Sequence, residues 1–212
     1  MEEQKSKVYV QTDGQNRIFR CEGGYTTPAD LTGWVQIDEG TGDRYNLAQS
    51  HYFDPPLYTD DGLPRYKLVE GQPVERSEEE LETERLGPIR NARIAQSKTD
   101  LAAYLASHPL QWTDGEYYSI TAEKQQQLTS KLMAATMAQT LSTEYTLTWN
   151  SAGEVCKAWT LQDLSALAFA IDARVTALVT YQQTKEVAMR DAETLEELEA
   201  IVVDYDSVGA TV

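Results

Sequence analysis

Apolar residues recur at Leu164, Leu167, Ala168, Ile171, Val175 and Leu178, inside a run from Thr160 to Asp191 that holds no Gly or Pro. That spacing is one face of a 3.6-residue period and predicts the longest helix of the chain. Thr160 stands as its N-cap. Asp163, three residues on, gives an acidic version of the capping box and suits the helix dipole. The second half turns polar at Gln182, Lys185 and Glu186, which reads as a helix leaving the core and not as a coiled-coil seam. A helix with one apolar face needs a bed, and the two Trp-bearing hairpin signals before it supply one.

Before Ser77 the period is that of strands and turns. KVYVQTD and NRIFRCEGG flank Asp13-Gly14, and Val8 and Val10 alternate with polar neighbours, so a β-hairpin with one covered face is expected. Thr27-Pro28 opens one helical turn through Asp30 and Leu31, Gly33 to Ile37 resumes as strand, and EGTGD turns the chain. RYNLAQSHYF suits a short helix better than a strand, and Pro55-Pro56 stops either. LYTDDGLPRYKLVEGQPVER reads as short strands turned at Asp61-Gly62 and Glu70-Gly71.

At Ser77 the composition shifts. Ser77 and Glu80 form a capping box for an acidic helical stretch to about Ser107, which Gly87-Pro88 either kinks or divides into helices over 78–86 and 89–107. Its apolar side comprises Ile89, Ala92, Ile94, Leu101, Tyr104 and Leu105. Past His108-Pro109 come a hairpin turned at Asp114-Gly115 and a helix capped by Thr121, with Leu128, Leu132 and Ala135 inside. A second hairpin follows, in which Tyr145, Leu147 and Trp149 alternate with polar residues. Thr194 and Glu197 start a final helix, LEELEAIVV, and VGATV is expected to fray. The whole predicts an α+β fold: a β-rich module over 1–76, an acidic linker helix or kinked helix pair over 77–109, and an α+β domain over 110–212 whose two hairpins pack on the long helix.

Composition narrows the function classes. With 212 residues, 41% hydrophobic and 25% charged, the chain has the makings of a real core. Its 18 basic against 34 acidic residues, a net charge of −16, argue against a nucleic-acid backbone or an anionic membrane as partner. No apolar run approaches the ~20 residues that span a bilayer, and MEEQKSKVYV lacks the apolar region of a signal peptide. Cys21 and Cys156 have no metal-type spacing and read as reduced, partly buried thiols.

The remaining candidates for chemistry are weak. His51 and His108 have no second ligand at zinc spacing on a common element. Asp54, Asp60 and Asp61 could hold Ca²⁺, but without EF-hand spacing a turn explains them better, and Asp204 and Asp206 fare no better. Glu39-Gly40-Thr41-Gly42 opens no phosphate-loop signature, and GxSxG is missing. No catalytic, cofactor-binding or metal residue is therefore assigned, no cofactor is expected, and an enzyme is not expected. Among the aromatics, Trp34, Trp112, Trp149 and Trp159 read as packing residues. Tyr25, Tyr45, Tyr52, Tyr58 and Tyr66 are the interface candidates.

The phrase CEGGYTTPADLTGWVQIDEGTGDRYNLAQSHYF, followed by LYTDDGLPRYKLVEGQPVER and the acidic EEEL helix, resembles a module common in tail-region proteins of phages and prophages of Gram-positive gut bacteria. This likeness covers roughly residues 7–85. The W-x-D-G-x-x-Y turn (Trp112, Asp114, Gly115, Tyr118), the Trp149 hairpin, the helix start from Leu161 to Leu164 and TLEELEAI resemble a domain of unknown function in phage tail-fibre-like proteins. The resemblance implies a structural component of a phage or phage-like tail, a fibre- or baseplate-associated adaptor resident in the virion tail after synthesis in the host cytoplasm. Its implied partners are other tail, baseplate or tail-fibre proteins, or further copies of itself, with no nucleic acid and no membrane. It transfers no catalytic or cofactor position. Two other readings stand beside it: a tail-fibre assembly chaperone absent from the mature particle, and a glycan- or receptor-binding module resting on the tyrosines.

Overall fold

Asp13-Gly14 turns the hairpin it predicts. A computed structural model describes residues 5–208, in which β1 (Ser6–Thr12) pairs antiparallel with β2 (Ile18–Gly23) and the Asp13 N–H donates to the Arg17 carbonyl at 3.1 Å. On the other side of β1 lies β3 (Val35–Gly40), also antiparallel, in the order β2-β1-β3. The register slips between Val8 and Tyr9, a bulge of the kind that twists an edge strand away from further pairing. RYNLAQSHYF forms two four-residue helices, α1 (Asp43–Asn46) and α2 (Ala48–His51), as its helical reading expected. A second hairpin joins β4 (Tyr66–Val69) to β5 (Gln72–Glu75) through Glu70-Gly71.

These elements enclose Val8, Val10, Ile18, Cys21, Ile37, Ala48, Tyr52 and Tyr66. The helical turn expected after Thr27-Pro28 lies upstream instead, as a 3-10 turn over Gly24–Thr26. Gly24 has φ +54, and a Cβ there would stand 2.4 Å from the Asn46 Cα, so the tight turn is possible only where no side chain intrudes.

The helix that Ser77 opens does not break. Ser77 N–H donates to Glu80 Oε2 at 3.0 Å and Glu80 N–H to Ser77 Oγ at 3.3 Å, and α3 (Glu78–Ser107) then runs as one helix through Gly87-Pro88. The reading as two helices is thereby corrected. The chain divides into two compact units, Met1–Arg85 and Leu86–Val212, so the Gly87-Pro88 signal lies beside the division and not at a helix end. Within the first unit, buried Arg76 donates to the Pro64 carbonyl at 2.8 Å and to Glu84 at 2.6 Å, and Arg17 reaches both Glu84 and Asp13 at 2.6 Å.

The second unit holds the expected hairpins, β6 (Leu110–Gln111) with β7 (Tyr117–Tyr118) and β8 (Thr148–Trp149) with β9 (Lys157–Ala158). It also holds α4 (Ala122–Leu141), α5 (Leu161–Asp191) and α6 (Leu195–Ala200). Their core gathers Leu105, Tyr118, Ile120, Leu128, Trp149, Leu164, Leu167, Ile171 and Leu178. A smaller cluster joins Leu86, Met189, Ala192 and Leu198. The second hairpin is shorter than its alternation suggested, with Leu147 and Trp149 buried but Tyr145 outside.

Three further expectations are corrected here. Ile89 and Ala92 are exposed; the buried stripe of α3 in this unit is Leu86, Ser97 and Leu105, with Ile94, Leu101 and Tyr104 half-buried. The last helix ends at Ala200, not Val203, because the Arg93 guanidinium takes up the Leu198 and Ile201 carbonyls at 2.6 and 2.7 Å. Most tellingly, α5 does not leave the core: Gln182, Glu186 and Met189 are all buried. Although no uninterrupted apolar run of bilayer length exists, α5 contains a window of mean hydropathy 1.4 and is long and apolar enough by composition to cross a membrane. The core helix of a globular unit meets the same criterion, and its Leu164, Leu167, Ile171 and Leu178 face such a core. The expected fraying of VGATV concerns residues 209–212, outside the described residues, as are the first four of MEEQKSKVYV. With about 50% helix, 19% strand and small antiparallel sheets, the fold is α+β.

Candidate interaction surfaces

Three of the five tyrosines singled out as interface candidates serve the first unit's interior. Tyr52 and Tyr66 are buried, and Tyr45 is half-buried against the same core. The Tyr52 and Tyr45 hydroxyls both donate to Asp38 Oδ2, at 3.1 and 3.3 Å, and Tyr66 donates to the Pro55 carbonyl at 2.8 Å. Burial and the Asp38 carboxylate push the Tyr52 phenol up. The sequence held a sign of this: positions 45 and 52 are seven apart, hence on one face of a helical stretch. Only Tyr25, 82% exposed, and Tyr58, 42% exposed, present rings to solvent, and the Tyr58 hydroxyl is spent on the Phe19 carbonyl.

His51, His108, Asp61 and Asp204 find structural partners. His51 Nδ1 lies 2.8 Å from Ser50 Oγ, and the His108 ring stacks on Tyr104 with centroids 3.9 Å apart. Arg85 grips Asp61 with two hydrogen bonds, of 2.7 and 3.2 Å, and holds that carboxyl well below the usual carboxylate range. Asp204 caps the 3-10 turn Tyr205–Ser207 through the Asp206 N–H. Gly42 precedes only the short α1. Among the described residues no three His, Cys, Asp or Glu side chains gather as a metal site. Cys21 is buried and its thiol is pushed up to about 12 by burial, whereas Cys156 is exposed, which corrects its reading as partly buried.

What the sequence reading missed lies on α4. Its inner side is the expected Leu128, Leu132 and Ala135. The outer side carries a second apolar row, Met133, Met137 and Leu141, which are 61%, 56% and 69% exposed. Spaced by four, they form one continuous ridge. From Lys124 to Thr143 no Asp or Glu occurs, in a chain of net charge −16. The ridge is thus apolar, and the one carboxylate of its helix, Glu123, lies in the first turn and away from it; exposed apolar ridges mark interaction surfaces, and exposed methionines adapt readily to a partner's shape.

Beyond that ridge the helix stops at Ser142, in the left-handed region at φ 52. The turn leaves a cleft of about 240 Å³ between the end of α4 and the start of α5, with Gln139, Ser142, Thr143, Tyr145 and Trp159 on its walls. No protein-family model matches the chain, and neither does a curated protein or a solved structure, so the functional reading rests on its own residues.

Proposed function

We propose that this chain is a non-enzymatic assembly component of a phage or phage-like tail, an adaptor that docks onto other tail, baseplate or fibre proteins. The observation that carries the protein-docking part is the ridge of Met133, Met137 and Leu141, exposed on a helix whose one carboxylate, Glu123, lies in its first turn, ten residues before the ridge begins. Two separately cored units in one chain suit an adaptor, since each can present its own surface. Placement in a tail comes from the resemblance of residues 7–85 and of the Trp112–Tyr118 turn.

The test is quantitative mass spectrometry of density-purified particles from the source strain. A fixed ratio to the tail tube protein is expected, and the double variant Met133→Lys/Met137→Lys should leave the particle while its melting transition stays close to wild type. Absence of the wild-type chain from washed particles sinks the adaptor reading. Recovery from lysate in complex with fibre protein would establish the chaperone instead.

A further inference from the structure

We infer that the cleft at the C-terminal end of α4 binds a single ring of a neutral saccharide. Its walls combine two aromatic rings with a dense set of uncommitted polar groups. Trp159 is half-buried with its ring edge-on against Tyr118, centroids 5.7 Å apart, and its backbone N–H donates to the Leu147 carbonyl at 2.9 Å. Tyr145 is 44% exposed and pairs with no other ring among the described residues. An apolar sugar face stacks on such rings, and the hydroxyls at its rim need partners.

Those partners are present and unspent. The Gln139 amide, the Ser142 and Thr143 hydroxyls and the Tyr145 phenol make no hydrogen bond to any described residue. The contrast lies on the same helix: Thr129, Ser130, Thr136 and Thr140 each give their hydroxyl to the carbonyl four residues back, at 2.9 to 3.1 Å. Ser142 and Thr143 are released from that habit because the helix ends there. Their backbone N–H groups close the cap on Gln139 and Ala138 at 3.2 and 2.9 Å, which leaves the side chains turned out of the ladder.

Two features choose among ligand classes. No Asp, Glu, Lys, Arg or His stands on the walls, so a phosphate, a sulfate or a uronate would find no counter-charge and a cation no carboxylate. The volume, about 240 Å³, lies just below the usual range of small-molecule sites and suits one pyranose ring. An extended peptide would need a longer groove, or a strand edge to pair with.

The experiment titrates the full-length chain with methyl glycosides of glucose, galactose, N-acetylglucosamine and N-acetylgalactosamine. Methyl glucuronide and a proline-rich peptide run in parallel. Binding is read by saturation-transfer NMR and by tryptophan fluorescence. At least one neutral glycoside should bind in the millimolar range expected of so small a ligand, and the glucuronide should not. Tyr145→Ala and Gln139→Ala should each weaken binding about tenfold or more, with unchanged melting transitions, since both side chains are exposed. Failure of every neutral glycoside to bind overturns the proposal. So does binding that neither variant alters, or a peptide that binds and is lost in Tyr145→Ala while the glycosides stay silent.

Discussion

Glu186 accepts hydrogen bonds from Gln182 at 3.2 Å and from Arg190, and pairs with Lys98 at 3.0 Å, while Gln182 reaches Ser97 Oγ at 3.1 Å. The Lys98 ammonium, then the Gln182 amide, hold its carboxyl below the ordinary 4.5. A carboxyl depressed in the folded state contributes stability that is complete above its unfolded value and is lost as pH falls through the folded one. Glu186→Gln should therefore flatten the acid limb of the stability curve. Urea midpoints compared between about pH 3 and pH 6 check this, and a variant curve parallel to wild type would remove Glu186 from the account. Arg76 presents the opposite risk. It is buried, and its loss leaves the Pro64 carbonyl and half of Glu84 unpaired, with Arg17 still in place. Arg76→Met should cost about 2–4 kcal/mol in urea unfolding.

Among elements, what could be read from the sequence was what is local. The caps at Ser77, Thr121, Thr160 and Thr194 each involve a side chain and an N–H three residues away, and all four form. Hairpin turns at Asp13-Gly14 and Asp114-Gly115 were legible for the same reason. The polar half of α5 was not, because Gln182 is satisfied by a serine 85 positions away, and no pattern along one helix reports such a partner. The tyrosines failed similarly: alternation and exposure look alike until a core forms around Tyr52 and Tyr66. For α4, the row Met133, Met137, Leu141 was visible as spacing, but which of its two apolar sides meets the core is a tertiary fact. Pro88 shows local propensity overridden. It sits exposed inside α3 and denies the Glu84 carbonyl its helical donor. Pro88→Ala should restore that bond and raise stability by about 1–3 kcal/mol, seen as a higher melting temperature. An unchanged transition would mean that the helix already absorbs the proline without strain.

Across the whole molecule, charge is distributed unevenly. Its 34 Asp and Glu residues against 18 Lys and Arg leave the chain strongly acidic, and in the acid-free stretch from Lys124 to Thr143 an acidic neighbour meets no carboxylate of that stretch. The proposed adaptor face and the proposed saccharide cleft share that stretch, so a partner seated on the ridge and a glycan in the cleft can be tested for competition on the same protein. The two cysteines divide just as unevenly. Cys21, enclosed by the first unit and with its thiol raised to about 12, is inert, while Cys156 stands in the open between β8 and β9. A disulfide-exchange reagent should thus count one fast thiol in the native chain and two after denaturation. The unmodified protein comes with a single addressable attachment point, so a dye or gold cluster coupled there would mark the second unit in any assembly the chain enters.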